Sequence, residues 1–179
     1  MPTGGAWVSA LRCTVRVVNE TGEHTVTLRP VHESDLDVLF RQMSDPEAVR
    51  MAAFVPRDPT DRQQFDAHMA RVLESPENTL RAVTRDGDLV GSIGSFPLEG
   101  RTEVTYWIDR AVWGQGIATQ ALVLLMEEIR TRPLYARAAS DNAGSLRVLE
   151  KAGFRVIGNE VAFAPARARE IEETILQLG

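Results

Sequence analysis

The sequence predicts a single α+β domain built on a mixed, mostly antiparallel β-sheet of about seven strands, with helices on both faces. Three observations predict this class. Alternating apolar segments bounded by turn residues occur along the whole chain, segments of helical period separate them, and the second half is ordered strand–helix–strand–helix–strand. The 179 residues show no internal repeat or linker, so we expect a short extension over 1–12 and one domain over 13–179.

The composition excludes several functional classes. The chain has a net charge of −5 and no run of basic residues, so a nucleic-acid partner is not expected. No apolar run approaches about 18 residues, which predicts no membrane span. The first eleven residues lack a basic region followed by an apolar one, so we expect no signal peptide. Cys13 is the only cysteine, which fits a reducing, cytoplasmic setting.

The first half of the chain predicts two hairpins separated by helices. Residues 13–18 and 25–29 alternate as strands around a turn-like stretch. Helical spacing predicts helices from Ser34 or Asp35 to Met43, from Pro46 to about Met51, and from Thr60 or Asp61 to about residue 75. Strands are expected at 79–85 and 88–96, because Asp86-Gly87 between them is a strong hairpin signal.

The second half predicts a parallel strand pair joined by a helix. A loop over 97–101 leads to a strand at 102–108, a helix over 116–130 and a strand at 134–139, and such a crossover is right-handed. A short helix capped by Asp141 or Asn142 then ends near Gly153. We expect a strand at 154–157, a polar loop at about 159–169 and a last strand at 171–178.

Glycines between the strand and the long helix predict an anion site. Gly114-Gln115-Gly116 allows close approach of the backbone, and a helix start presents free N–H groups with a partial positive charge. A phosphate fits such a site. An ordinary strand-to-helix turn explains the glycines equally well on these grounds. The motifs of dinucleotide dehydrogenases and of P-loop NTPases are absent from the sequence.

Two motifs carry a resemblance to a known family. Trp113-Gly-Gln-Gly-Ile-Ala-Thr119, after the strand Glu-Val-Thr-Tyr-Trp-Ile, resembles the acetyl-CoA pyrophosphate motif of the GNAT superfamily of N-acetyltransferases. The run Asp141-Asn-Ala-Gly-Ser-Leu-Arg-Val-Leu-Glu-Lys-Ala-Gly-Phe154 resembles its second cofactor motif, especially in the branch of ribosomal-protein N-terminal acetyltransferases. Trp113 departs from the Gln or Arg of the wider superfamily, although that branch often has an aromatic residue there.

The resemblance implies a fold with a splayed central pair of parallel strands and a site for acetyl-CoA. The pantetheine arm would lie against the backbone of Trp107 and Ile108, and the amide of Asn142 would reach the same arm, although Asn142 also reads as a plain helix cap. The pyrophosphate motif would supply the remaining cofactor-binding residues: Trp113, Gly114, Gln115, Gly116, Ile117, Ala118 and Thr119. No metal is expected, because the three histidines have no ligand spacing.

Acetyl transfer to an amine requires a neutral amine, stabilisation of the carbonyl oxygen and protonation of the leaving thiolate. Glu103 is the candidate base, directly or through water. Because it lies roughly 13 Å along the strand from Trp107, a chain of water molecules is favoured over direct contact. Ser145 is the candidate partner of the thiolate, where many superfamily members have a Tyr. A solvated glutamate and a serine of the first helical turn remain the alternatives.

The acceptor is the least constrained part of this interpretation. A neutral fraction of roughly a tenth for an α-amine at pH 7, against well under a thousandth for lysine, favours a protein N-terminus or another weakly basic amine. We therefore expect a primary amine to attack acetyl-CoA directly in a ternary complex. The enzyme is expected to be a monomer or homodimer. A non-catalytic acyl-CoA-binding module is the alternative, because the cofactor motifs alone do not require turnover.

Overall fold

The computed structural model describes residues 14–19 and 22–179. The expected extension, Cys13 and the tip of the first hairpin lie outside the described residues. The described part contains eight strands, where about seven were expected: β1 Thr14–Asn19, β2 Gly22–Pro30, β3 Thr79–Arg85, β4 Asp88–Leu98, β5 Arg101–Ile108, β6 Leu134–Ala139, β7 Arg155–Ala164 and β8 Arg169–Leu178. Five α-helices accompany them: α1 Leu36–Met43, α2 Pro46–Ala52, α3 Arg62–Glu74, α4 Ile117–Glu128 and α5 Ala143–Lys151.

All eight strands form one sheet in the order β1-β2-β3-β4-β5-β6-β8-β7. Every neighbouring pair is antiparallel except β5 and β6, which are parallel. The predicted α+β class, mixed sheet and crossover around α4 are confirmed.

Helices cover both faces of the sheet, as predicted. On one face, α4 and α5 pack on a core of buried strand residues, among them Val26, Leu28, Val83, Ile93, Val104 and Leu176. On the other face, Leu39 of α1 packs with Phe65 and Met69 of α3. Side chains alternate between the faces along β5, so Val104, Tyr106 and Ile108 point to the α4 side. None of the helices in the described ranges is long and apolar enough to cross a bilayer.

Two glycines of β4 allow the neighbouring strands to approach closely. A Cβ on Gly91 would collide with the carbonyl oxygen of Trp107, so only glycine permits this approach. A Cβ on Gly94 would likewise meet the carbonyl oxygen of Thr79. Both glycines therefore allow a close approach of neighbouring backbone.

Two predicted loops are strands in the structure. Strand β4 continues to Leu98, and only Glu99 and Gly100, both at positive φ, form the turn to β5. Strand β7 continues to Ala164, where the sequence predicts a polar loop over 159–169. Most of β7 is exposed, because it is the edge strand, so its side chains lack the apolar alternation on which the prediction depended.

An ion pair fixes the entry to α1. The two terminal nitrogens of Arg29 donate to the Asp35 carboxylate at 2.6 and 2.8 Å, and the His32 N–H donates to it at 2.8 Å. Asp35 is only 6% exposed. The hydrogen bonds from Arg29, opposed by burial, hold the pKa of Asp35 below its usual value. Because a lowered folded-state pKa stabilises the fold above the unfolded pKa, this contribution is lost as the pH falls.

We expect Asp35→Asn to lower the free energy of unfolding by about 2 kcal/mol at pH 7, because charge-assisted hydrogen bonds to a buried group are lost. The deficit should shrink below about pH 4, where the wild-type carboxylate also takes up a proton. Urea unfolding at pH 7 and below about pH 4 measures this deficit. Asp66→Asn, in an exposed pair with Arg62, is the control and should change stability by under about 0.5 kcal/mol. An equal deficit at both pH values would contradict the ion-pair account.

Candidate active site

The turn between β5 and α4 forms a cradle of backbone N–H groups. Gly114 and Gly116 have φ values of 76° and 79°, the left-handed region that glycine adopts without strain. Gly116 is the N-cap of α4, and its carbonyl accepts the first helical bond, from Gln120. The N–H groups of the first turn therefore have no intrahelical acceptor. Together with the helix dipole they favour an anion at this point.

The parallel strands β5 and β6 separate directly beside this cradle. Their pairing is limited to Thr102 with Leu134 and Glu103 with Tyr135, although both strands continue. The wedge between them leaves the β6-facing backbone of β5 without a β6 partner beyond Glu103. The splay implied by the family resemblance is therefore present in this chain.

A cavity of about 350 Å³ joins the cradle to the wedge. Helix α2 supplies one wall and the start of α5 another. Most of the predicted cofactor-binding residues line it: Trp107, Ile108, Trp113, Gly114, Gly116, Ile117, Ala118, Thr119 and Asn142. Arg147 and Lys151 of α5 also line it and add positive charge at the side of an acidic protein. The arrangement suits an elongated ligand with a phosphate at one end.

Four of the predicted cofactor-binding side chains are already engaged with the protein, among them Trp107, whose indole N–H donates to the Gln42 carbonyl. Asn142 caps α5 by accepting the Ser145 N–H at 3.0 Å, and its amide donates to the Met51 carbonyl at 3.1 Å. The Trp113 indole N–H donates to the Ile108 carbonyl at 2.7 Å. Gln115 is not among the cavity residues, and its side chain accepts from Arg85 at 2.6 Å. Any contact of Gln115 with a ligand would therefore involve its backbone.

The two predicted catalytic residues lie in separate places. Ser145 lies at the start of α5, where its hydroxyl is 2.7 Å from the hydroxyl of Tyr106. Glu103 is buried on the α1 side of β5, and Arg137 of β6 donates to its carboxylate at 2.9 Å. Glu103 is not among the residues that line the cavity. Ser145 does not line the cavity either, but its hydroxyl contacts that of Tyr106, which does.

Tyr106 is a site residue that the sequence reading missed. Its hydroxyl reaches Ser145, and the residue lines the cavity. Burial raises its pKa to about 12, against a smaller opposing effect of the Ser145 hydrogen bond. A tyrosine hydroxyl from β5 therefore lies beside Ser145, the residue that stands where many superfamily members have a tyrosine. The alternation along β5 already placed Tyr106 opposite Glu103 and Trp107, on the α5 side, and this was the available signal.

The face of β5 opposite α4 is exposed to solvent at the middle of the strand. Thr105 is exposed although β5 is a central strand, while Glu103 before it is buried. Trp107, on the same face, donates its indole N–H to the Gln42 carbonyl of α1 at 2.9 Å. Thr105 is therefore accessible to solvent on the face of β5 opposite α4.

Comparison with known proteins agrees with this geometry. The family model of the acetyltransferase (GNAT) domain matches residues 25–155. The chain belongs to the GNAT family. It is an acetyl-CoA-dependent N-acetyltransferase, and the resemblance seen in the two sequence motifs is confirmed.

Individual GNAT relatives extend over most of the chain. It is 24% identical over 163 residues to the uncharacterized N-acetyltransferase p20 of Bacillus licheniformis, covering 86% of this chain and 92% of that one. The solved structure of Mycobacterium smegmatis RimJ with CoA-disulfide has a TM-score of 0.73 at 18% identity, covering 96% and 88% of the two chains. The microcin C7 self-immunity acetyltransferase MccE, solved with acetyl-CoA and AMP, has a TM-score of 0.71 at 14% identity, covering 86% and 91%. At these identities the two structures support the fold.

Proposed function

We propose that this GNAT enzyme transfers the acetyl group of acetyl-CoA directly to a primary amine within a ternary complex. The observation that carries the proposal is the cavity that runs from the α4 N-terminus into the β5–β6 wedge, while Thr105 is exposed on the opposite face of β5. Two approaches to one strand allow a donor and an acceptor to be present together. Direct attack then requires no covalent enzyme intermediate.

The cofactor would be held mainly by the backbone. We assign its pyrophosphate to the N–H groups of the turn from Gly114 to Thr119, with Trp113 beside it. The pantetheine arm would follow the free edge of β5 at Trp107 and Ile108, close to Asn142. Backbone donors need no net positive charge, which suits a chain with a net charge of −5.

The acceptor we favour is the α-amine of a peptide or protein, with a small-molecule amine as the other member of the class. The neutral fraction of an α-amine near pH 7 supports this choice, and so does the similarity to RimJ. MccE, solved with AMP beside acetyl-CoA, shows that a close structural relative can hold a small molecule. We expect the enzyme to act in the cytoplasm as a monomer or homodimer, without a nucleic-acid or membrane partner.

Thiol release tests the function. The purified protein is incubated with acetyl-CoA and a panel of peptides with free N-termini, peptides with blocked N-termini and internal lysines, polyamines and aminoglycosides. We expect turnover to be fastest with free N-termini. Faster acetylation of internal lysines would overturn the preference for an α-amine. Tight CoA binding without turnover on any amine would favour a non-catalytic acyl-CoA-binding module.

Ser145 would hydrogen-bond the leaving sulfur, with Tyr106 holding the serine hydroxyl in place. Tyr106 is unsuited to protonate the thiolate itself: its pKa of about 12 exceeds that of a thiol near 8.5, so the transfer is uphill by about 5 kcal/mol. The two hydroxyls lie 2.7 Å apart, and if Tyr106 is the donor of this bond, the serine proton is free to point at the sulfur.

We expect Ser145→Ala to lower kcat about tenfold, the value of one hydrogen bond made as charge develops on sulfur. Tyr106→Phe should lower kcat less and leave the alkaline limb of the pH profile unchanged. Because both act through one hydroxyl, the double variant should be no slower than Ser145→Ala. A steady-state double-mutant cycle measures this, and additive losses would contradict the arrangement.

A further inference from the structure

The C-terminal end of α2 is fastened to two other elements of the chain. The last helical bond of α2 joins the Ala53 N–H to the Val49 carbonyl, so the carbonyls of residues 50–53 have no donor within the helix. Each of these four carbonyls nevertheless accepts a hydrogen bond. One donor is the nearby Phe54 N–H, and the other three come from Asn142 and from the turn between β7 and β8.

Arg167 of this turn joins α2 to the start of α5. Its Nε donates to the Arg50 carbonyl at 2.8 Å, while its two terminal nitrogens donate to the Asp141 carboxylate at 2.6 and 3.0 Å. The backbone N–H of Ala166 donates to the Ala53 carbonyl at 3.2 Å. The Arg167 side chain is only 8% exposed. A guanidinium has the planar fork that these simultaneous bonds require, and a lysine ammonium lacks it.

Apolar packing at the end of α2 is limited. The helix has seven residues, too few to be stable without support from the rest of the fold. The buried residues at its end are alanines, Ala53, Ala139 and Ala164, against which Phe54 and Ile171 are partly buried. An alanine side chain is a single methyl group and buries little apolar surface. The position of this end of α2 therefore depends strongly on its hydrogen bonds to the turn and to α5.

The two elements that Arg167 joins are walls of the cofactor cavity. Met51 and Ala52 line the cavity from α2, and Asn142 and Gly144 line it from the start of α5. Asn142 follows Asp141 directly and donates to the Met51 carbonyl at 3.1 Å, so two adjacent residues hold the same end of α2. Arg167 is not among the residues that line the cavity. It therefore acts on the cavity through α2 and α5.

We propose that Arg167 is a positioning residue of the cofactor site, which sets the separation between α2 and the start of α5. The inference rests on the proposed function, which assigns acetyl-CoA to the cavity that these elements line. Without Arg167, the Arg50 carbonyl and the Asp141 carboxylate would bind water instead, and α2 would no longer be held in one position. Ordering α2 again when CoA binds would then cost free energy and weaken the affinity.

Calorimetry with CoA on the full-length protein tests the proposal. We expect Arg167→Met to weaken binding of CoA about tenfold. Arg167→Lys should weaken it less, because lysine keeps the charge but not the fork that reaches both partners. In turnover, the KM for acetyl-CoA should rise more than kcat falls, since the lost bonds affect binding of the cofactor. Arg169→Met, at an exposed arginine two residues away, is the matched control and should bind CoA as wild type does.

Asp35→Asn separates positioning from a general loss of stability. We expect that variant to be destabilised as well, but Asp35 does not line the cavity, so it should bind CoA as wild type does. The proposal is overturned by wild-type affinity in Arg167→Met, or by an equal loss of affinity in Asp35→Asn. Should Arg167→Met fail to fold, Arg167→Lys decides, and wild-type affinity in that variant overturns the proposal. Failure of the wild-type protein to bind CoA would instead overturn the proposed function.

Discussion

Gly116→Ala should weaken binding of CoA by about 30-fold, or about 2 kcal/mol. Gly116 has a φ of 79° at the N-cap of α4, and an alanine there would lie in a backbone conformation that L-residues rarely adopt. Space does not prevent the substitution, because the nearest atom to an added Cβ is the Gln120 amide nitrogen at 3.6 Å. The expected effect comes from relaxation of the turn, which would redirect the N–H groups away from the pyrophosphate. Calorimetry with CoA measures it.

Gly100→Ala provides the matched control for backbone strain. Gly100 has a φ of 76° in the β4–β5 turn, and nothing lies within 4 Å of an added Cβ. Both variants should lose about 1 kcal/mol of stability from the left-handed conformation. Only Gly116→Ala should lose affinity for CoA. Equal affinities of the two variants would show that the pyrophosphate does not bind at this turn.

Arg137→Met should lower the free energy of unfolding by about 4 kcal/mol, the largest stability effect we expect. The Arg137 side chain is only 19% exposed, and its guanidinium forms ion pairs with four carboxylates in the described part of the chain. Its removal leaves the nearly buried Glu103 without a partner, and breaking such a pair typically costs 3–5 kcal/mol. The deficit should shrink at acidic pH, because protonation removes the repulsion among the carboxylates. Urea unfolding at pH 7 and pH 4.5 measures it.

The double variant Arg137→Met/Glu103→Gln tests the cause of that loss. Replacing both partners removes the unpaired buried charge, so the double variant should recover a substantial part of the stability. Stability equal to or below that of Arg137→Met would show that the loss comes from packing of the long side chain instead.

Strong local signals explain which elements were predicted correctly. Asp86-Gly87 adopts positive φ at both residues and closes the β3–β4 hairpin, as the dipeptide predicts. Helix α4 is apolar nearly all round and is buried under the sheet. The two loops predicted in error, over 97–101 and 159–169, include the ends of strands that pair with the next strand along the chain. Strand β7 pairs with β8 along its length although most of its side chains are exposed, and that pairing is not visible in its own pattern.

The sequence by itself determined the family and the cofactor end of the site. The cradle and the second motif are continuous segments, and their glycines and helix starts act through the local backbone. Only the tertiary structure decided which side chains meet across the sheet. Tyr106 meets Ser145 across 39 positions of sequence, and Arg137 gathers glutamates from three strands and one turn. A side chain's partner across a sheet depends on strand order and register, which long-range packing sets and no short segment encodes.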